Sequence, residues 1–196
     1  NLTDADLTGA DVTEATVRES TLVGATLTDA EATELTATET DLTDVTLDGA
    51  TLAAADLAGC TLRNATVAGA TLPDANLAGC DLERVTFEEA TLPRSDLSAA
   101  QLGHTTFDGA VVSDSDLSET EPAQASLAEA DLSGADLSES VLRDATLSGA
   151  DLTEADLTET AAPQSDFAGA DLTRVSADEA DFSGVDLSDG TLRDTS

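Results

Sequence analysis

The chain contains no lysine, tryptophan, tyrosine or methionine, and its seven strongly basic residues are all arginines. Against these stand 41 aspartates and glutamates, so that the formal net charge is −34 over 196 residues. Nucleic-acid binding depends on basic side chains that neutralise phosphates, and an excess of carboxylates excludes direct binding of this kind. The same charge keeps a protein soluble but destabilises its compact state by self-repulsion.

The absence of lysine also indicates the salt concentration in which the protein works. Together with abundant Asp, Glu, Thr and Ala, it is typical of a protein from a high-salt cytoplasm. Salt at molar concentration shortens the Debye length to about 3 Å and so relieves the repulsion between carboxylates. We therefore expect a halophilic, cytoplasmic protein.

Long apolar runs are absent as well. None approaches the roughly 18 residues that a membrane span requires, and no charged-then-apolar leader appears. Neither end shows a capping helix of the kind that solenoids normally carry. We expect residues 1–196 to form a single domain that is a segment of a longer chain, with end-to-end association of the exposed ends as the alternative.

Motifs for catalysis and for cofactor binding are also missing. There is no GxGxxG loop, no CxxC pair and no EF-hand series, and the serines have no base within plausible reach. The only histidine, His104, is expected on the surface. Cys60 and Cys80 are expected as small buried thiols rather than as metal ligands or a disulfide. The sequence thus predicts no catalytic, cofactor or metal site, and a protein that is not an enzyme.

What the chain does have is a large apolar residue at every fifth position. Of the 39 positions from Leu2 to Leu192, 34 are Leu, Val or Phe, and they include 26 of the 27 leucines. A step of five advances about 140° around a helix, so no apolar stripe can form there. On a long strand the same step would flip each leucine to the opposite face. Short strands that turn every five residues satisfy the pattern.

The rest of each repeat has its own order. A small residue usually stands two positions before the large one, and both face inward because residues two apart on a strand point the same way. The residue between them, mostly Asp or Thr, faces outward. Eleven of the 13 glycines come two positions after the large residue, where they suit a corner that needs a positive φ.

Repeats such as AlaAspLeuSerGly at 130–134 and AlaAspLeuThrGlu at 150–154 resemble the pentapeptide-repeat family, and the resemblance covers essentially the whole chain. It implies an all-β fold, a right-handed quadrilateral parallel β-helix of about ten coils. Each coil would hold four pentapeptides, or 20 residues, and residue n would stack on residue n+20. Such a coil has a filled interior and no insertion from which an active-site cleft could be built.

Five of the 39 positions depart from the frame, and four of them, Ala37, Ala177, Pro122 and Ala162, are informative. Ala37 and Ala177 are small, but Leu35 and Val175 stand two residues before them, which predicts volume-conserving swaps. Pro122 and Ala162 have no such compensation and lie forty residues apart. We expect a local irregularity at this face, caused either by decay of the repeat or by a bulge or contact point.

Stacking every twenty residues groups the acidic side chains into columns, which the sequence predicts on adjoining faces of the C-terminal half. They form our candidate interaction surface: Asp96, Asp116, Asp136 and Asp156; Glu119, Glu139, Glu159 and Glu179; and Asp131, Asp151 and Asp171. An uncharged ladder is expected on another face, made of Thr26, Thr46, Thr66, Thr86 and Thr106.

The same stacking predicts ion pairs that test its register. Arg94 should lie between Asp74 and Asp114, Arg174 between Glu154 and Asp194, and Arg63 beside Glu83.

Two functions compete. The first is a rigid, salt-adapted structural or interaction rod whose faces dock an unidentified protein partner or which spaces other domains apart. The second follows from the family resemblance, because members of the quinolone-resistance type resemble duplex DNA and occupy the DNA-binding saddle of gyrase, a type II topoisomerase. The acidic columns favour this second reading. The absence of a C-terminal helix and of projecting loops counts against it.

Overall fold

A computed structural model describes all 196 residues. The backbone is held by parallel pairing between residues twenty apart, in 32 bridges that run from Asp6↔Thr26 to Asp171↔Thr191. The structure contains no helix, and no strand exceeds a single bridge residue. The predicted short strands are therefore reduced to one ladder residue in each pentapeptide, because a turn occupies the rest of the repeat.

Four columns of bridges alternate along the chain. Column A begins at Thr21, column B at Asp6, column C at Asp11 and column D at Thr16. Each side of the solenoid is named after its column and consists of the pentapeptides that begin on it. Residues 101–105 thus lie on side A.

The hydrogen bonds of one pentapeptide explain why the repeat has five residues. In the unit 96–100, the N–H groups of the first, second and fourth residues donate to carbonyls of neighbouring coils at 2.7–2.9 Å. The N–H of Ala100 closes a turn on the carbonyl of Leu97 at 3.0 Å. The remaining N–H, of Ser98, donates to Oδ1 of Asp96 at 2.9 Å. Every backbone donor of this unit is satisfied within the repeat or by the adjacent coils.

The turn places the fourth residue of every pentapeptide at positive φ. The glycine corner predicted from sequence is confirmed at all eleven glycines, with φ between 62° and 76°. The same conformation is adopted by 28 other residues, among them eight Asp and eleven Glu, which the sequence did not reveal. The hydrogen-bonded turn imposes this positive φ. The left-handed conformation has a higher free energy for a residue with a Cβ than for glycine.

The interior is one core of 53 buried apolar residues. Leu77, Leu97 and Leu117 are at most 1% exposed, as the frame predicts. Phe87 and Phe107, which are twenty residues apart, stack with ring centroids 4.9 Å apart and planes 3° apart. An inward ladder of this kind is what stacking in register requires.

Both predicted swaps bury apolar volume. Leu35 is 6% exposed beside the fully buried Ala37. Val175 is buried at 1%, next to the partly buried Ala177.

The predicted irregularity is confirmed at Pro122 and wrong at Ala162. The bridges Gln101↔Glu121 and Glu121↔Val141 are the only ones missing inside column A, whereas Val141↔Ala161 is formed. Proline has no N–H to donate to the next coil. Alanine lacks only volume, and the Ala162 N–H still donates to Asp181 at 2.9 Å.

The candidate acidic surface

The aspartates predicted for column D are stacked as expected. Bridges join Asp96 to Asp116, Asp116 to Asp136, and Asp136 to Asp156. Each carboxylate also accepts a hydrogen bond from the backbone N–H two residues later, at 2.9 Å in all four repeats. One oxygen therefore serves the fold, and the other remains available to solvent or to a partner.

The glutamates occupy the corner of the same side. Glu119, Glu139, Glu159 and Glu179 are exposed and have φ values of 58–60°. The N–H groups of the first three donate to the next coil at 2.8–3.0 Å, which fixes their backbone. None of the four carboxylates has an ion pair or a hydrogen bond within the protein. They form a row of free anions on a rigid backbone.

The third predicted group lies on side C. Bridges join Asp131 to Asp151 and Asp151 to Asp171. Each of them accepts an N–H bond from its own turn, at 2.9–3.0 Å. Hydrogen bonds from the hydroxyl and N–H of Thr173 lower the pKa of Asp171, and the nearby Arg193 and Arg174 act in the same direction.

Charge is unevenly distributed around the C-terminal half. The pentapeptides of side D between 116 and 180 carry eight carboxylates and no arginine. On side A, the four pentapeptides between 101 and 165 carry only Glu121, Arg143 and Asp144. We call the eight carboxylates of the first two predicted groups (Asp96, Asp116, Asp136, Asp156, Glu119, Glu139, Glu159, Glu179) the acidic stripe. The predicted uncharged ladder also forms on column B, with bridges from Thr26 through Thr106.

A second acidic feature lies on side B. An open depression of about 420 Å³ is lined by Glu88, Glu89, Asp108, Gly109, Ala128 and Glu129. Asp108 accepts hydrogen bonds from the N–H of Ala128 at 3.1 Å and from the hydroxyl of Ser126 at 2.5 Å. Sequence reasoning missed this feature, although the Glu88–Glu89 pair lies twenty residues before Asp108 and Gly109. No three His, Cys, Asp or Glu side chains converge to hold a metal ion.

Three of the predicted ion pairs form and agree with the twenty-residue register. Arg94 binds Asp74 through two hydrogen bonds of 2.8 Å, and Arg63 lies 3.5 Å from Glu83. Arg174 pairs with Glu154. Asp114 and Asp194, the other predicted neighbours, form no ion pair.

The two cysteines are free and buried, as predicted. Each thiol donates to a backbone carbonyl of the preceding coil, Cys60 to Ala37 at 2.7 Å and Cys80 to Leu57 at 3.0 Å. Burial raises the pKa of Cys60 to about 11 and that of Cys80 to about 12. Such thiols are poor nucleophiles at neutral pH. His104 lies exposed at a corner.

Family comparison explains the repeat. The profile described as "Pentapeptide repeats" matches eight copies, over residues 1–34, 40–77, 62–98, 123–158 and 150–189. The chain belongs to the pentapeptide-repeat family. The match omits residues 35–39, which include Leu35 and Ala37, residues 99–122, which end at the missing bridges of column A, and residues 190–196.

Solved structures agree on the fold. HetL, a pentapeptide-repeat protein involved in heterocyst differentiation regulation in the cyanobacterium Nostoc, is 27% identical, with a TM-score of 0.75 over 94% of this chain and 86% of that chain. QnrB1, a plasmid-mediated fluoroquinolone resistance protein, is 19% identical, with a TM-score of 0.67 over 90% and 88%. At that identity the likeness to QnrB1 concerns the fold alone. No curated protein matches the chain.

No helix in the structure is long and apolar enough to cross a membrane.

Proposed function

We propose that this chain is a non-catalytic, salt-adapted cytoplasmic rod that presents its acidic stripe to a protein partner. The right-handed coil of four sides and about ten layers, which we infer from the family resemblance, is the rigid support. The row of unpaired glutamates at 119, 139, 159 and 179 carries the proposal, because these side chains have no partner within the fold. The backbone of the first three is fixed by hydrogen bonds to the next coil, so binding orders little of the chain.

The test is capture of partners from a high-salt lysate with two variants of equal charge. One variant changes Glu119, Glu139, Glu159 and Glu179 to Gln. The control changes four other exposed corner glutamates, Glu14, Glu34, Glu89 and Glu129, to Gln. We expect the first variant to lose a partner that the parent and the control both retain. Equal capture by both variants would contradict a role for the stripe.

A second candidate is a DNA mimic that binds a type II topoisomerase such as gyrase, and linear charge density favours it. With layers about 4.8 Å apart, 196 residues in coils of twenty span about 47 Å. The net charge of −34 then amounts to about one charge per 1.4 Å, against about 1.7 Å in duplex DNA.

Salt separates the two candidates. Electrostatic attraction to a DNA-binding surface falls steeply as salt rises, so a rod adapted to molar salt should not inhibit gyrase supercoiling under those conditions. Inhibition at micromolar rod that disappears when Asp116, Asp136 and Glu139 become Asn or Gln would instead favour the mimic.

A further inference from the structure

The wall of the solenoid is interrupted at one place, on side A between residues 101 and 122. The N–H groups of Leu102 and Glu121 have no partner in the protein. Between Leu22 and Ala177, every other residue at the first or second position of a pentapeptide donates its N–H to a neighbouring coil, except Pro122, which has no N–H. Two adjacent bridges of column A are lost as a result. The carbonyls of Ala100, Glu121 and Val141, which would accept these ladder bonds, are left without them.

The defect extends into the core below. Buried hydroxyls at the inward corner normally donate to the carbonyl 23 residues earlier, as Thr160 does to Leu137 at 2.7 Å. Thr120 instead donates to the carbonyl of Leu117 in its own turn, at 2.6 Å. That carbonyl is the one that Ser140 would use, and the buried hydroxyl of Ser140 has no partner.

The other three sides are intact at the same level. The bridges Thr106↔Ser126, Val111↔Asp131 and Asp116↔Asp136 join the same two coils. Column A alone therefore lacks the pairing that resists separation of these coils.

We propose that side A around Glu121–Pro122 is a hinge, at which the wall opens locally while the other three sides hold the rod together. Local opening needs the least free energy where the fewest hydrogen bonds and the most unsatisfied polar groups occur together. Opening admits water to the N–H groups of Leu102 and Glu121 and to the hydroxyl of Ser140. The rod is then two stiff segments joined by a section that yields on one side only.

Amide hydrogen exchange tests the hinge at neighbouring bonds that are still formed. The N–H of His104 donates to Ala123 at 3.2 Å, and that of Val141 donates to Thr120 at 2.9 Å. The matched bond for His104 lies two coils further on, where Asp144 donates to Pro163 at 3.2 Å, and that for Val141 lies one coil further on, where Ala161 donates to Ser140 at 2.9 Å. We expect the amides of His104 and Val141 to exchange at least about tenfold faster than those of Asp144 and Ala161. Equal protection would overturn the proposal.

Two substitutions separate the hinge from ordinary variation in exchange. Pro122→Leu supplies both an N–H and the missing core volume and should slow His104 and Val141 to the rate of their matched amides. Pro122→Ala supplies the N–H alone and should act in the same direction, which keeps the test valid if leucine does not fit. Ala162→Leu is the control, since the ladder is already intact there, and should leave both rates unchanged. The hinge would also be contradicted if the His104 and Val141 amides still exchanged fast in Pro122→Ala. It would be contradicted as well if Ala162→Leu slowed these amides as much as the Pro122 substitutions do.

Discussion

At the scale of single residues, the acidic corners combine a left-handed backbone conformation with a negatively charged side chain. Glu129, for example, has a φ of 57° and lies between Gly109 and Gly149 in the stack of its corner. A left-handed conformation costs a non-glycine residue about 1–2 kcal/mol. The chain nevertheless places eleven glutamates there, where each carboxylate projects from the turn into solvent.

Substituting Glu129 with Gly should therefore stabilise the fold by about 1 kcal/mol, because it removes the cost of the left-handed conformation. Urea unfolding at fixed salt measures the change. Glu129→Gln, which removes the charge but keeps the Cβ, is the control and should give a smaller gain. A loss of stability in Glu129→Gly would mean that this turn is not strained.

The core depends on single leucines in a similar way. Leu97 is fully buried between Leu77 and Leu117, so Leu97→Ala should cost about 2–5 kcal/mol through lost burial and the cavity left behind. Leu192 is 52% exposed and serves as the control, so Leu192→Ala should lower the free energy of unfolding much less. A cost below about 1 kcal/mol at Leu97 in reversible unfolding would contradict the inward direction of the frame.

At the scale of the repeat, the aspartate at the bridge position is a structural residue as well as a charge. Asp116 accepts both the N–H and the hydroxyl of Ser118, at 2.9 and 2.6 Å. Asp116→Ala should cost about 1–3 kcal/mol, because it leaves the turn N–H without an acceptor. Asp116→Asn retains an acceptor oxygen and should cost less. Equal unfolding free energies for the two variants would show that the turn does not need this bond.

The same bonds predict how acid acts on the fold. Hydrogen bonds from their own turns lower the pKa values of Asp171, Asp181 and Asp186. A carboxylate with a lowered pKa stabilises the fold above the pKa of the unfolded chain, near 3.9, and that contribution is lost as the pH falls through the folded-state value. Asp171→Asn should therefore flatten the fall in stability below about pH 4. Parallel stability curves for the variant and the parent would contradict this role.

The repeat also shows what the sequence could predict. A strict period of five specifies which side chains face inward, so the core follows from it. The stacked columns and the ion pair of Arg94 with Asp74 follow from the twenty-residue coil that the family resemblance implies. Hydrogen bonding depends on individual atoms that the period does not distinguish. Pro122 and Ala162 therefore looked equivalent, although only proline breaks the ladder. The depression at Glu88 and Asp108 was missed because it combines two adjacent positions of the repeat on side B, whereas the stacking considered one position at a time.

At the scale of the whole molecule, charge dominates. Between residues 116 and 180, side D carries eight carboxylates and no arginine, and successive layers repeat them at about 4.8 Å. Dilution from molar salt to about 0.05 M KCl lengthens the Debye length from about 3 Å to more than 10 Å. The melting temperature should fall substantially, because repulsion between stacked carboxylates is then unscreened. An unchanged melting temperature would contradict salt adaptation as the reason for the charge.

The central claim is that residues twenty apart stack throughout the chain and so align the acidic corners on one side. Nitroxide labels at Glu39 and Glu179 test it most directly, since both residues are exposed on the same corner. The labelled positions are separated by 140 residues but by only seven layers, which places them about 34 Å apart. A narrow distance distribution centred near that value is the predicted result. A broad distribution, or a distance well above about 45 Å, would contradict the twenty-residue register and the alignment of the acidic stripe that depends on it.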